Sequence, residues 1–189
     1  MNRETRPNGG FTLPELIITI AIAAILLGIA TPIWHKWTEH AAHRTAVNQY
    51  HTLFSFARWS AASRHLLVTV CPLSAQGKCT DNWQNPIFVF FDANNDKKPD
   101  NGAILRSFSF DGARFRIRSR TGGKGYLQFN ARGMIHGATG SVILCPKSAN
   151  GTAMSYMAVN KGGRFRVEHD TDGDGIIKLP WGVNISCNA

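Results

Sequence analysis

Residues 11–34, FTLPELIITIAIAAILLGIATPIW, constrain this chain more than any other segment. Glu15 is their only ionisable side chain, and residues 16–34 carry no charge. That run is close to the ~20 residues a helix needs to cross hydrocarbon. A secretory signal would have a shorter apolar region of about 7–15 residues, closed by a small-residue cleavage site. Here the run is longer and no such site closes it. Residues 1–10 are polar and contain Arg3 and Arg6. Positive charge before the span keeps the first residues cytoplasmic and sends the rest of the chain outside. A membrane-anchored protein with an exported body is expected.

The body has its own pattern. Over residues 35–64, apolar side chains recur at Val47, Tyr50, Phe54, Ala57 and Ala61, a period near 3.6. No Gly or Pro interrupts before Pro72, so one face of this amphipathic half-helix should lie on a head domain. Strand-like runs follow at 66–71, 87–91, 104–110, 114–118, 126–129, 141–145, 155–159 and 164–167. Clusters of Gly, Asn, Asp and Pro separate them, as turns separate antiparallel strands. The expected class is α+β: a long N-terminal helix, transmembrane in its first half, packed on an antiparallel β head. The expected segments are 1–10, 11–34, 35–64 and a head over 65–189.

Lys and Arg number 21 against 12 Asp and Glu, a formal net charge of +9. An anionic partner is therefore worth seeking, whether nucleic acid, lipid or acidic protein. Two groups of cations stand out. Arg114, Arg116, Arg118 and Arg120 alternate with other residues, and in one strand all four would line one face. Like neighbours repel, so this stripe calls for an anion. Arg164 and Arg166 alternate with Phe165 and Val167, and Lys161 is near. In a strand the two guanidiniums would point the same way, ~7 Å apart, with Phe165 and Val167 toward the core. Paired Arg forks onto phosphate oxygens.

Cys71, Cys79, Cys145 and Cys187 suit an oxidising compartment. Four Cys allow three pairings. Cys71–Cys79 would close a short loop, and Cys145–Cys187 would then tie the tail to a strand. No zinc-ligand spacing is present. His35, Glu39 and His43 are spaced for one helix face, where a solvated flank is favoured over a metal site. Asp170-Thr-Asp172-Gly-Asp174 begins like a calcium loop, but Trp181 stands where the bidentate Glu belongs. Asp92-x-Asn94-x-Asp96 is a similar partial match. Both are read as self-capping turns, with weak calcium binding at Asp170, Asp172 and Asp174 as the alternative. No cofactor is expected. No nucleophile elbow, phosphate loop or metalloprotease helix is present, so no enzyme is expected.

The N-terminus resembles the type IV pilin signature on Gly10, Phe11, Thr12, Leu13 and Glu15. The resemblance implies cleavage after Gly10 by a prepilin peptidase and methylation of the Phe11 amine. It also implies that Glu15 meets a neighbouring subunit's N-terminal amine during filament assembly. Two blocks of the head, WQNPIFVFFDANNDKKPDNGAILR and FNARGMIHGATGSVILCPKSANGTAMSYMAVNKGGRFRVE, are similar to the FimT/GspH group of minor pilins and pseudopilins, FimT most of all. In FimT proteins a Gly-Arg-x-Arg element is associated with DNA, and Gly163, Arg164 and Arg166 match it. The resemblance implies a minor pilin that binds DNA without sequence preference for natural transformation. It would wait in the inner membrane with a periplasmic head, then enter a pilus among major and minor pilins. The alternatives are a structural GspH-like pseudopilin of type II secretion, a pilus-priming minor pilin, and a calcium-stabilised adhesin tip. The acidic tail after Arg166 departs from the FimT pattern.

Overall fold

The computed structural model describes residues 12–109, 112–147 and 154–187, and the side chains of residues 31–33, 35 and 36 lie outside that description. Helix α1 runs Leu13–Arg64. Pro14 sits in its first turn, where a missing N–H breaks no helical hydrogen bond. The chain divides into two compact units, Met1–Thr38 and Glu39–Ala189. In the first, Leu13–Ala30 has a mean hydropathy of 2.4 and no residue buried within the chain. It is long and apolar enough to cross a membrane.

The second unit begins with the amphipathic part of α1. Ala46, Val47, Tyr50, Leu53, Phe54, Ala57 and Ala61 are all buried, the face the periodicity predicts. Burying each Leu or Phe fully is worth about 1.5–3 kcal/mol.

Among the described residues ten strands follow, where eight runs were expected, and they form two four-stranded sheets and a hairpin. The first sheet has the order β3-β2-β1-β5, with β1 Val68–Pro72, β2 Ile87–Phe91, β3 Arg106–Phe108 and β5 Leu127–Phe129. The second has the order β4-β6-β7-β8, with β4 Phe115–Arg120, β6 Gly140–Pro146, β7 Ser155–Val159 and β8 Phe165–His169. All pairings are antiparallel. One core joins the α1 face to Val68, Val70, Val89, Phe129, Ile117, Val142, Leu144 and Met157.

The tail forms the last two strands, β9 Ile176–Lys178 and β10 Asn184–Ser186, which pair with each other. They were not expected. They supply Ile177, Leu179 and Ile185 to a second apolar cluster with Ile143, Cys145, Met154 and Tyr156. Alternation explains the arrangement. Val142 and Leu144 face the main core, so Ile143 and Cys145 face the other way and need a cover. Disulfides join Cys71 to Cys79 and Cys145 to Cys187, and the second ties the tail to β6.

His43 is buried on the packed face of α1. Its Nε2 lies 3.0 Å from Ser155 Oγ, which lies 2.7 Å from His169 Nδ1. Burial, then the neighbouring His169, His40 and Arg44, push the His43 pKa down to about 4. His43 is thus engaged with β7 and β8, and the His35 side chain lies outside the described residues. Asp92 is likewise occupied. Its carboxylate accepts from Thr69 Oγ1 at 2.7 Å, Gln128 Nε2 at 3.0 Å and the Lys97 N–H at 3.2 Å.

Candidate nucleic-acid interface

Two turns of one design meet beneath the basic residues. In Asn130-Ala-Arg-Gly133, the Gly133 N–H donates to the Asn130 carbonyl at 2.8 Å, and Asn130 Oδ1 accepts from the Met134 N–H at 3.2 Å. In Asn160-Lys-Gly-Gly163, the Gly163 N–H donates to the Asn160 carbonyl at 2.8 Å, and Asn160 Oδ1 accepts from the Arg164 N–H at 3.0 Å. Both glycines have positive φ, 68° and 74°. The Ile135 N–H donates to the Lys161 carbonyl at 3.1 Å, and Lys161 Nζ donates to the Gly137 carbonyl at 2.9 Å, so the turns are tied together.

The fit between them is tight. A Cβ at Gly163 would stand 2.1 Å from the Gly133 carbonyl oxygen and 3.4 Å from Arg58 Cδ. A Cβ at Gly133 would stand 3.2 Å from Arg58 Cγ. The Arg58 stem therefore lies beside both glycines.

A groove of about 510 Å³ opens on the α1 side of this seam. Arg58, Arg132 and Arg164 line it with His51 and Trp59, and among the described residues no carboxylate does. Phe165 forms its apolar part, stacked on Phe54 with centroids 5.7 Å apart. Arg58, Arg132 and Trp59 were not expected as site residues. A second groove, of about 550 Å³, opens on the tail side. Arg120, Lys161, Arg166 and Trp181 line it. The Arg166 guanidinium lies 5.5 Å from the Trp181 ring centre and also pairs with Glu168.

These positions correct two expectations. Arg164 and Arg166 line different grooves. Strand alternation starts only at Phe165, while the Arg164 backbone is held in the turn by Asn160. Phe165 and Val167 do pack on the core. The four-arginine stripe is also not one free row. Arg114 precedes β4. Arg116 Nη2 donates to the Cys187 carbonyl at 3.0 Å, and Arg118 Nη1 to the Ser186 carbonyl at 3.1 Å. The tail relieves part of the stripe's repulsion, and Arg120 is the member of the four that lines the tail-side groove.

The charge of the acidic turn is partly offset from within. Lys178 Nζ lies 2.9 Å from Asp172 Oδ2 and 2.8 Å from Asp174 Oδ2. Asp170 accepts from the Gly173 and Gly175 N–H groups, each at 2.8 Å. Hydrogen bonding from Lys178 holds the Asp172 carboxyl at about 2, below the usual range. Glu15 lies exposed in the first turn of α1. Gly10 and Phe11 lie outside the described residues.

The model of the family "Type II transport protein GspH" matches residues 46–171. The chain belongs to the GspH family. The prokaryotic N-terminal methylation motif matches residues 5–31, over the apolar start of α1. The fold is that of the type IV pilins. It is similar to the crystal structure of the type IV minor pilin FimU of Pseudomonas aeruginosa, with a TM-score of 0.56, 17% identity, and coverage of 70% of this chain and 92% of that one. A second crystal form of FimU gives a TM-score of 0.51 at 15% identity, covering 66% of this chain and 91% of that one. No curated protein matches. This GspH-family member is a minor pilin or pseudopilin, and the methylation motif implies a prepilin peptidase and other pilins as partners.

Proposed function

We propose that this pilin binds extracellular DNA, largely without sequence preference, and presents it for uptake in natural transformation. The observation that carries the reading is the meeting of the Gly-Arg-x-Arg element with Arg120. Lys161, Arg166 and Arg120 line one groove, and Arg164 lines the other side of the same turn. Such a surface suits a phosphate backbone, and binding through phosphates reads no sequence. Trp181 adds an exposed ring, while Glu168 offsets some of the charge. In this reading the leader is cut after Gly10, Phe11 is methylated, and Glu15 guides assembly from the inner membrane, with the head in the periplasm. The pilus then displays the head at the cell surface. This reading does not call on calcium; the Asp172 and Asp174 carboxylates pair with Lys178 Nζ.

A second reading, a structural pseudopilin of type II secretion or a pilus-priming pilin, is favoured by the family's description and by the internal use of Arg116 and Arg118. DNA titration of the full-length chain in non-ionic detergent separates the two. Affinity should fall steeply with salt, and Arg164→Ala/Arg166→Ala should lower the log–log slope by ~0.9 for each phosphate no longer neutralised. Absence of binding at low salt by the folded wild type would leave the structural reading.

A further inference from the structure

We infer that Arg58 and Arg132 form, with Arg164, a second phosphate-binding groove, so that bound DNA lies against α1 as well as the β head. The inference rests on the DNA-binding reading and extends it to residues outside the Gly-Arg-x-Arg element.

Three arginines reach this groove from three separate places: α1, the Asn130–Gly133 turn and the residue before β8. All three are exposed, and no hydrogen bond or ion pair holds their guanidiniums among the described residues. Three other arginines of the surface differ. Arg166 is paired with Glu168, and Arg116 and Arg118 donate to tail carbonyls. Converging like charges without a counter-charge raises the free energy of the empty groove, and an anion lowers it.

The shape of the seam explains how the charges come together. Gly133 and Gly163 have no side chains to fill the space beside Arg58, so the two turns close on its stem. The guanidinium is left at the groove while the methylene groups pack. Guanidiniums fork onto phosphate oxygens, so the groove suits a phosphodiester. A polyanion fits better than a small ion, because the cations continue past the turn to Lys161, Arg166 and Arg120. Duplex DNA presents one charge per about 1.7 Å, which can engage both grooves together.

The test uses the full-length chain in non-ionic detergent and a labelled, mixed-sequence duplex of about 30 base pairs, titrated across salt. Arg58→Gln/Arg132→Gln is compared with Lys98→Gln/Lys124→Gln, which removes the same charge from residues that line neither groove. The first should weaken binding about tenfold at low salt and lower the log–log slope by about 1–2, and the control should do neither. Arg58→Lys/Arg132→Lys keeps the stems and the charge. It should restore most of the slope, which separates a phosphate-binding role from a packing defect. If Arg58→Gln/Arg132→Gln binds like the control while Arg164→Ala/Arg166→Ala binds more weakly, the second groove is refuted and the DNA-binding reading stands. If the wild type does not bind, both fall. If poly-glutamate binding depends on Arg58 and Arg132 while DNA binding does not, the groove serves an acidic protein segment and the inference is wrong.

Discussion

Gly163 shows how one position can serve both fold and surface. Its φ of 74° and the nearby Gly133 carbonyl oxygen exclude a β-carbon. Gly163→Ala should cost about 2–4 kcal/mol, from left-handed strain plus displacement of the backbone at the seam. Urea unfolding measures this, and a midpoint equal to wild type would show that the seam yields freely. His43 gives a pH dependence of definite sign. The folded state keeps it neutral down to about pH 4, while the unfolded chain takes up a proton near its ordinary 6.5. Stability from this group is therefore complete above 6.5 and is lost as pH falls toward 4. The urea midpoint should drop across that window, and His43→Gln should flatten the drop; an unchanged slope would assign the effect elsewhere. The residue scale is also where the sequence was least legible. Gly163, Arg164 and Arg166 stand together in a short motif. Arg58 and Arg132 lie far apart in the chain and meet only through tertiary packing. One local signal existed, because Asn-x-x-Gly occurs at both Asn130 and Asn160, and each turn caps itself in the same way.

Elements were legible where pattern and burial agree. The expected runs 87–91 and 155–159 coincide with β2 and β7. The amphipathic half of α1 followed its period. The tail hairpin was missed because β9 and β10 are short and lie among Asp and Gly. The trace it leaves is in β6, whose SVILC segment is apolar without alternation, as in a strand buried on both faces. The Cys145–Cys187 disulfide ties the cover over that outer face to β6 and closes a loop with a sequence separation of 42. In the chain-entropy model such a loop is worth about 3–4 kcal/mol. Cys187→Ala should lower stability by about that amount and speed amide exchange in 176–186. Exchange that stayed slow there would show that Ile177, Leu179 and Ile185 hold the hairpin unaided.

For the whole molecule, composition settled the largest features and topology the rest. A run of uncharged residues specifies a membrane-crossing helix through solvation alone, so it is visible without a structure. The division into two four-stranded sheets is not, because pairing between distant strands leaves no local trace. Net charge pointed to an anion without giving its place. The grooves proposed to take it lie where turns from the two sheets meet over α1. A polymer bound as proposed would load the two glycine turns there. A polymer held at Arg164 pulls on a turn that lies directly against a second turn, with the Arg58 stem beside both. Tension applied there would enter α1 through packed atoms rather than through a slack loop, and a tether fixed at that point would be a stiff one.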